Sequence, residues 1–154
     1  MGEKITNKLY KKILVATDGS DYTKKATKHA LELAKLSGAE LHAIYVIDTR
    51  YGCGPESCIL SDTSPERLKS ILGWQGNTAI KYIEKLAKKE GIHTERWIVE
   101  GNPAEEIVRL AEEQLVDLII MGTLGSSGIS RFLLGSVADK VIRTSSIPVL
   151  TVRK

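Results

Sequence analysis

Lys12-Ile13-Leu14-Val15-Ala16-Thr17-Asp18-Gly19-Ser20 decides the fold. Four consecutive apolar residues, Ile13 to Ala16, run without alternation into a turn cluster, the signature of a strand buried on both faces. A helical period follows at once. Ser20 or Asp21 can cap it, Ala26, Ala30, Leu33 and Ala34 recur on one face, and Gly38 stops it. A strand feeding directly into an amphipathic helix is half of a βαβ unit, and such units impose parallel pairing.

The same unit recurs outward from this stretch. Leu41 to Ile47 reads as a second strand. Asp48 to Ser64 lacks any period and reads as a long loop. Pro65 suits the first turn of a helix whose second half carries Ala79, Ile83, Leu86 and Ala87 on one face, while Gly73 and Gly76 weaken its first half and blur its start. Gly91 ends that helix, and Thr94 to Val99 makes a third strand. Asn102, Pro103 and Glu105 form a helix start of cap, N1 proline and first-turn acid, ahead of inward-facing Ile107, Leu110 and Ala111. Val116 to Met121 is a fourth strand, Ser136 to Thr144 a helix burying Val137, Val141 and Ile142, and Pro148 to Val152 a fifth strand. Five strands alternating with four helices predict an α/β fold: an open doubly wound five-stranded parallel sheet with helices on both faces, for which strand order 3-2-1-4-5 is expected. Four helices are too few for a closed eight-fold barrel.

Composition agrees with one domain over residues 1–154. The hydrophobic fraction is 42%, and 22 basic against 19 acidic residues give a net charge of +3, too small and too dispersed for a nucleic-acid surface. The longest apolar runs fall far short of the ~20 residues that span a bilayer, and the polar N-terminus offers no secretory core, so neither membrane nor nucleic acid is an expected partner. Two cysteines, Cys53 and Cys58, are far from a disulfide framework, and a cytoplasmic location is expected.

In a doubly wound sheet, ligands bind beyond the carboxyl ends of the strands where strand order reverses. The loop after the fourth strand runs Gly122-Thr123-Leu124-Gly125-Ser126-Ser127-Gly128 and ends in Gly135-Ser136 at a helix start. Glycines let backbone amides approach a ligand, successive amides form an anion-binding nest, and a helix N-terminus adds unpaired N–H groups. No Asp or Glu lies between Gly122 and Asp139 to repel an anion. Neither G-x-x-x-x-G-K-[ST] nor G-x-G-x-x-G occurs, which disfavours a P-loop and a dinucleotide fold of the usual type. On spacing alone, turn-forming glycines and a phosphate cradle stand level.

The run G-x-x-G-x9-G-S, from Gly122 through Gly125 to Gly135-Ser136, resembles the ATP-binding motif of the universal stress protein family. Lys12 to Ser20 resembles the family's opening strand and loop, Tyr45-Val46-Ile47-Asp48 the end of its second strand, Gly101-Asn102-Pro103-Ala104 its third loop, and Ser146-Ile147-Pro148-Val149 the start of its final strand. The resemblance spans essentially the whole chain and implies the ATP-binding subgroup. It implies that Asp18 lies near ribose and adenine with Ala16 and Thr17 lining the same pocket, that Val46 meets the adenine edge through its backbone, and that Met121 and Gly122 pack near the ribose. Gly125, Ser126, Gly135, Ser136 and Val137 would hold the phosphates of ATP, AMP or ADP, with Mg2+ or Mn2+ as a candidate ion. The pattern departs at Ala16, where many members carry Pro or Val, and at Leu124, where many carry His or another polar residue. A homodimer paired through the C-terminal edge strand is also implied.

Other residues carry weaker signals. Arg131 could reach a γ-phosphate or lie in a solvated loop. His29, His42 and His93 lack ligand spacing and read as core or surface residues. Cys53 and Cys58, spaced C-x4-C, read as free thiols, with a local disulfide as the alternative. Trp74 and Trp97 read as packing residues, since no basic stripe accompanies them. Two functions remain, beside a third reading as a structural interaction protein that recruits another chain through the edge strand Pro148 to Val152. One is an adenine-nucleotide-binding stress-response module. The other is a slow ATP hydrolase or nucleotidyl-transfer enzyme, for which the sequence offers no compelling base.

Overall fold

The structure, a computed structural model, describes residues 9–49, 64–124 and 134–153. Its elements are β1 (Lys12–Ala16), α1 (Asp21–Ser37), β2 (Glu40–Asp48), α2 (Pro65–Lys89), β3 (Thr94–Gly101), α3 (Pro103–Glu113), β4 (Leu118–Gly122), α4 (Ser136–Thr144) and β5 (Val149–Val152). All strand pairs are parallel, as the alternation of periods predicts, and the order is the expected β3-β2-β1-β4-β5. β1 is central: Ile13 pairs with Leu41 on one side and Leu118 on the other.

Strand parity divides the core in two. Ile13, Val15, Leu41, Ala43, Tyr45, Leu118 and Ile120 face α1 and α2, against Ala26, Ala30, Ala34, Ile80, Ile83 and Ala87. Leu14, Ala16, Ile44, Ile119 and Met121 face α3 and α4, against Ala104, Ile107, Leu110, Ala111, Ala138 and Val141. The central strands are buried on both faces, which is why they read as unbroken apolar runs. Each fully buried Ile or Leu contributes about 1.5–3 kcal/mol through burial.

Several local expectations hold. Gly38 closes α1 in the left-handed conformation, φ 61°. Asn102 caps α3 by accepting the Ala104 N–H at 3.2 Å, with Pro103 at the first position. Ser64 caps α2, accepting the Arg67 N–H at 3.3 Å.

Others are corrected. α2 runs unbroken through Gly73 and Gly76. Ser20 is the N-cap of α1 but its hydroxyl makes no capping bond. Val116 lies before β4, in a turn where its N–H donates to Ala111 O at 2.9 Å. Ile142 is 42% exposed, and the buried face of α4 is made by Ala138 and Val141, three residues apart. Trp74, expected to pack, is 69% exposed on α2. Glu105 reaches Lys140 at 2.6 Å and so ties α3 to α4. Among the described residues no helix is long and apolar enough to cross a membrane.

Candidate functional site

Adjacent β1 and β4 send their chains to opposite sides of the sheet, one toward β2 and the other toward β5. Their C-terminal ends therefore border the crevice where doubly wound folds take ligands. The structure brings Ala16, Thr17 and Asp18 of the β1 end to one side of this crevice and Met121 and Gly122 of the β4 end to the other. Thr17 N–H donates to Ile44 O at 3.0 Å, extending the β1–β2 ladder, and β2 continues two residues further to the half-buried Val46.

The 17–20 loop is held by its own side chains. Asp18 Oδ1 accepts the Ser20 N–H at 2.9 Å, an Asx turn that fixes the carboxylate. Thr17 Oγ1 accepts the Gly19 N–H at 3.1 Å, and Gly19 takes the positive φ of 78° that the turn requires. Thr23 Oγ1 donates to Ser20 O at 2.9 Å. Its single proton is then spent, so Thr17 must be the donor in the 3.0 Å contact between the two threonine hydroxyls. Beneath the loop, Tyr45 is buried. Desolvation first, and the negative charge of Asp18 second, raise its phenol above the ordinary tyrosine value and keep it neutral.

Across the crevice the backbone is crowded. A Cβ at Gly122 would stand 3.1 Å from Tyr22 O and 3.3 Å from Leu124 O, so the absence of a side chain lets β4 meet the start of α1. Thr123 N–H donates to Val152 O at 3.1 Å, and Thr123 O accepts the Gly135 N–H at 2.7 Å. The Gly135 amide is thus already engaged. Gly135 is the extended N-cap of α4, and its carbonyl accepts the Asp139 N–H at 2.9 Å, the first bond of the helix. The preceding amides, of Ser136, Val137 and Ala138, have no acceptor within the helix and lie at the positive end of its dipole. The first-turn acid, Asp139, is paired with Arg143 at 2.5 Å.

Gly125 and Ser126, with Gly128, Arg131, Cys53 and Cys58, lie outside the described residues. The remaining expected site residues fall at the C-terminal ends of β1, β2 and β4 or at the start of α4. The sequence reading missed Tyr22, Thr23 and Tyr45, which shape the crevice without carrying a motif. Tyr45 leaves one signal, an aromatic residue on β2 facing a glycine-bearing half-helix. Ser20 Oγ is buried with no hydrogen-bond partner among the described residues, an unspent hydroxyl beside Asp18.

The family model for the universal stress protein family matches residues 9–153, nearly the full length. The chain belongs to the universal stress protein family. It is similar to universal stress protein MJ0531 of Methanocaldococcus jannaschii, 44% identical over 95% of this chain and 84% of that protein. The solved structure of MJ0577, a universal stress protein of the same organism, superposes with a TM-score of 0.80 at 36% identity, covering 95% of this chain and 97% of the other. A universal stress protein solved in complex with cAMP superposes with a TM-score of 0.65 at 29% identity, covering 94% and 97%.

For a universal stress protein, the geometry has a definite chemical sense. A carboxylate is locked in a turn at the end of β1, and the α4 N-terminus is tied through the Gly135 N–H to Thr123, just past β4. The two can meet opposite ends of one molecule: hydroxyl donors toward the carboxylate, and anionic oxygens toward the amides.

Proposed function

We propose that this universal stress protein is an adenine-nucleotide-binding stress-response regulatory module holding ATP at the β1–β4 switch point. The observation that carries the reading is that the Asp18 turn follows β1 and the α4 N-terminus is tied to Thr123, just past the neighbouring β4, at the same end of the sheet. In it, Ala16, Thr17 and Asp18 line the ribose and adenine, Val46 meets the adenine edge, and Met121 and Gly122 pack against the ribose. Gly125, Ser126, Gly135, Ser136 and Val137 surround the phosphates, with Ser136 and Val137 supplying amides and Gly135 close approach. The cAMP complex of a 29% identical family member supports an adenine ligand. A divalent ion, Mg2+ or Mn2+, arrives on the phosphates, since the described residues gather no His and carboxylate cluster at this end of the sheet.

Calorimetric titration with ATP, AMP and GTP tests the reading. Saturable binding of the adenine nucleotides in preference to GTP supports it, and equal or absent binding of all three overturns it. Mass spectrometry of small molecules released from freshly purified protein identifies the nucleotide carried in cells. Single-turnover hydrolysis at ordinary enzyme rates, lost in both Asp18→Ala and Gly125→Val, would favour the hydrolase instead.

A second copy of the chain is the proposed partner. β5 is an edge strand pairing with β4 alone in this sheet, and Leu150 on it is exposed, as is Ile142 on the preceding helix. An apolar sheet edge recruits another strand unless protected. Sedimentation equilibrium should give a dimer, and a Leu150→Lys variant should shift it toward monomer. A strict monomer at high concentration removes this part of the reading.

A further inference from the structure

The opposite end of the sheet carries a second group of chemically competent side chains, formed by residues more than fifty positions apart. In the β2–β3 register His42 pairs with Glu95, and one step earlier Leu41 N–H donates to His93 O at 3.0 Å, which sets Glu40 level with His93. Alternate residues share a sheet face, so Glu40 and His42 of β2 stand beside His93 and Glu95. One ligand atom from each of Glu40, His93 and Glu95 lies within 4.8 Å of the other two, and His93 Nε2 is 3.0 Å from Glu95 Oε1. Donors bound tetrahedrally to one zinc ion at about 2.0–2.2 Å stand roughly 3.3–3.6 Å apart, so rotation of the exposed His93 and Glu95 side chains must draw the widest pair together by up to roughly 1.5 Å.

A separate observation points to the same place. His42 lies under the group with its side chain only 2% exposed. Its Nδ1 accepts the indole N–H of Trp97 at 3.2 Å, which leaves Nε2 to carry the proton of the neutral ring. Nε2 is 3.0 Å from Glu40 Oε1, a contact that falls short of hydrogen-bond geometry. A buried donor without an acceptor is costly, and turning the Glu40 carboxylate satisfies it. A ligating carboxylate oriented by a neighbouring hydrogen-bond donor is the usual outer arrangement of a metal centre. Lys12, the other strand neighbour of Glu40, directs its ammonium to Gln114 O at 3.1 Å.

We propose that Glu40, His93 and Glu95 form a surface site for a divalent transition-metal ion of the zinc type, with His42 as the positioning residue for Glu40. One nitrogen and two carboxylate oxygens suit such an ion, and the exposure of His93 and Glu95 leaves its remaining positions to water. The site stands at the N-terminal end of β2, about 20 Å of strand from Val46 at the nucleotide crevice at a rise of ~3.3 Å per residue, and so is independent of it.

The test is calorimetric titration of Zn2+ into the full chain, stripped with chelator and carrying Cys53→Ser and Cys58→Ser so that no thiol competes. One saturable site per chain is expected, weakened at least about tenfold by His93→Ala and by Glu95→Gln, with unchanged ATP titration in both. His93 is an exposed side chain, so its loss leaves the fold intact, which thermal unfolding in chelator verifies. The His93 ring resonances should shift on Zn2+ addition in the unsubstituted pocket. Zn2+ binding undiminished by His93→Ala, or no saturable binding at all, overturns the proposal.

Discussion

The ring of Tyr45 lies so close to the backbone of Gly76 that a methyl group there would stand 2.7 Å from its Cδ1 and 3.1 Å from its Cγ and Cε1. The contact lets α2 descend onto β2 and seats the phenol under the Asp18 turn. Gly73, one turn earlier, has nothing within 4 Å of the corresponding position. The two glycines should respond to alanine with opposite sign. Gly73→Ala gains helix propensity and should stabilise by about 0.5–1 kcal/mol. Gly76→Ala gains the same propensity but overpacks a rigid ring, at a cost of about 1–3 kcal/mol, and should destabilise on balance. Urea midpoints of both variants decide it, and equal stabilisation would show that Tyr45 yields freely.

Leu115 adopts φ 55° with its side chain 79% exposed. A non-glycine residue in this region costs about 1–2 kcal/mol, whereas glycine carries an entropic cost of roughly 0.5–1 kcal/mol. With no buried contact to lose, Leu115→Gly should raise stability by about 0.5–1 kcal/mol, measured as a higher urea midpoint at constant slope. A lower midpoint would mean that the leucine side chain contributes packing after all.

Asp18 fixes its turn through one carboxylate oxygen, and an amide oxygen can do the same. Asp18→Asn should therefore keep the thermal midpoint while weakening ATP by about tenfold, the difference between a charge-assisted and a neutral hydrogen bond. Loss of stability without loss of affinity would reassign Asp18 to a purely structural role.

Gly122→Ala should act differently, because both nearest atoms to the added methyl are backbone oxygens, of Tyr22 and Leu124. Forcing them apart by 1–2 kcal/mol of strain corresponds to a roughly 5–30-fold loss, expected in ATP affinity as the β4 end moves away from the α1 start. Titration beside an unfolding curve separates the local from the global effect.

His42 makes stability depend on pH. Burial, with the charge of Lys12, lowers its pKa from the ordinary histidine value, against the opposing pull of Glu40 and Glu95. The folded state therefore favours the neutral ring. This contribution is complete above the unfolded value of about 6.5 and is lost as pH falls below it toward the folded value. His42→Gln, whose amide oxygen can still accept from Trp97, should flatten the decline in urea midpoint as pH falls below about 6.5 in chelator. An unchanged slope would place the pH sensitivity elsewhere.

What could be read from the sequence was local. The Ile13–Ala16 run, the Asn102-Pro103 start and the Gly38 stop each depend on neighbours within a few positions, and all three appear as expected. That Thr17 and Asp18 lie just past the end of β1 was legible because a turn after a central strand has a fixed place in a doubly wound sheet. Ile142 was misread because one residue around a helix is about a 100° rotation, and the inward direction is set by Ala138 and Val141. Tyr45 and Gly76 recognise each other only once α2 lies on β2. The group at Glu40, His93 and Glu95 depends wholly on strand register between distant segments, a relationship that spacing along the chain does not express.

Thr123 bonds through its N–H to β5 and through its carbonyl to the first residue of the α4 cap. One peptide position thus joins the outer margin of the sheet to the helix end proposed to meet the phosphates. Thermodynamic reciprocity then applies: whatever factor ATP lends to the association of two copies, association returns to the retention of ATP. If both proposals hold, the local concentration of the protein and the supply of nucleotide would be read through a single joint.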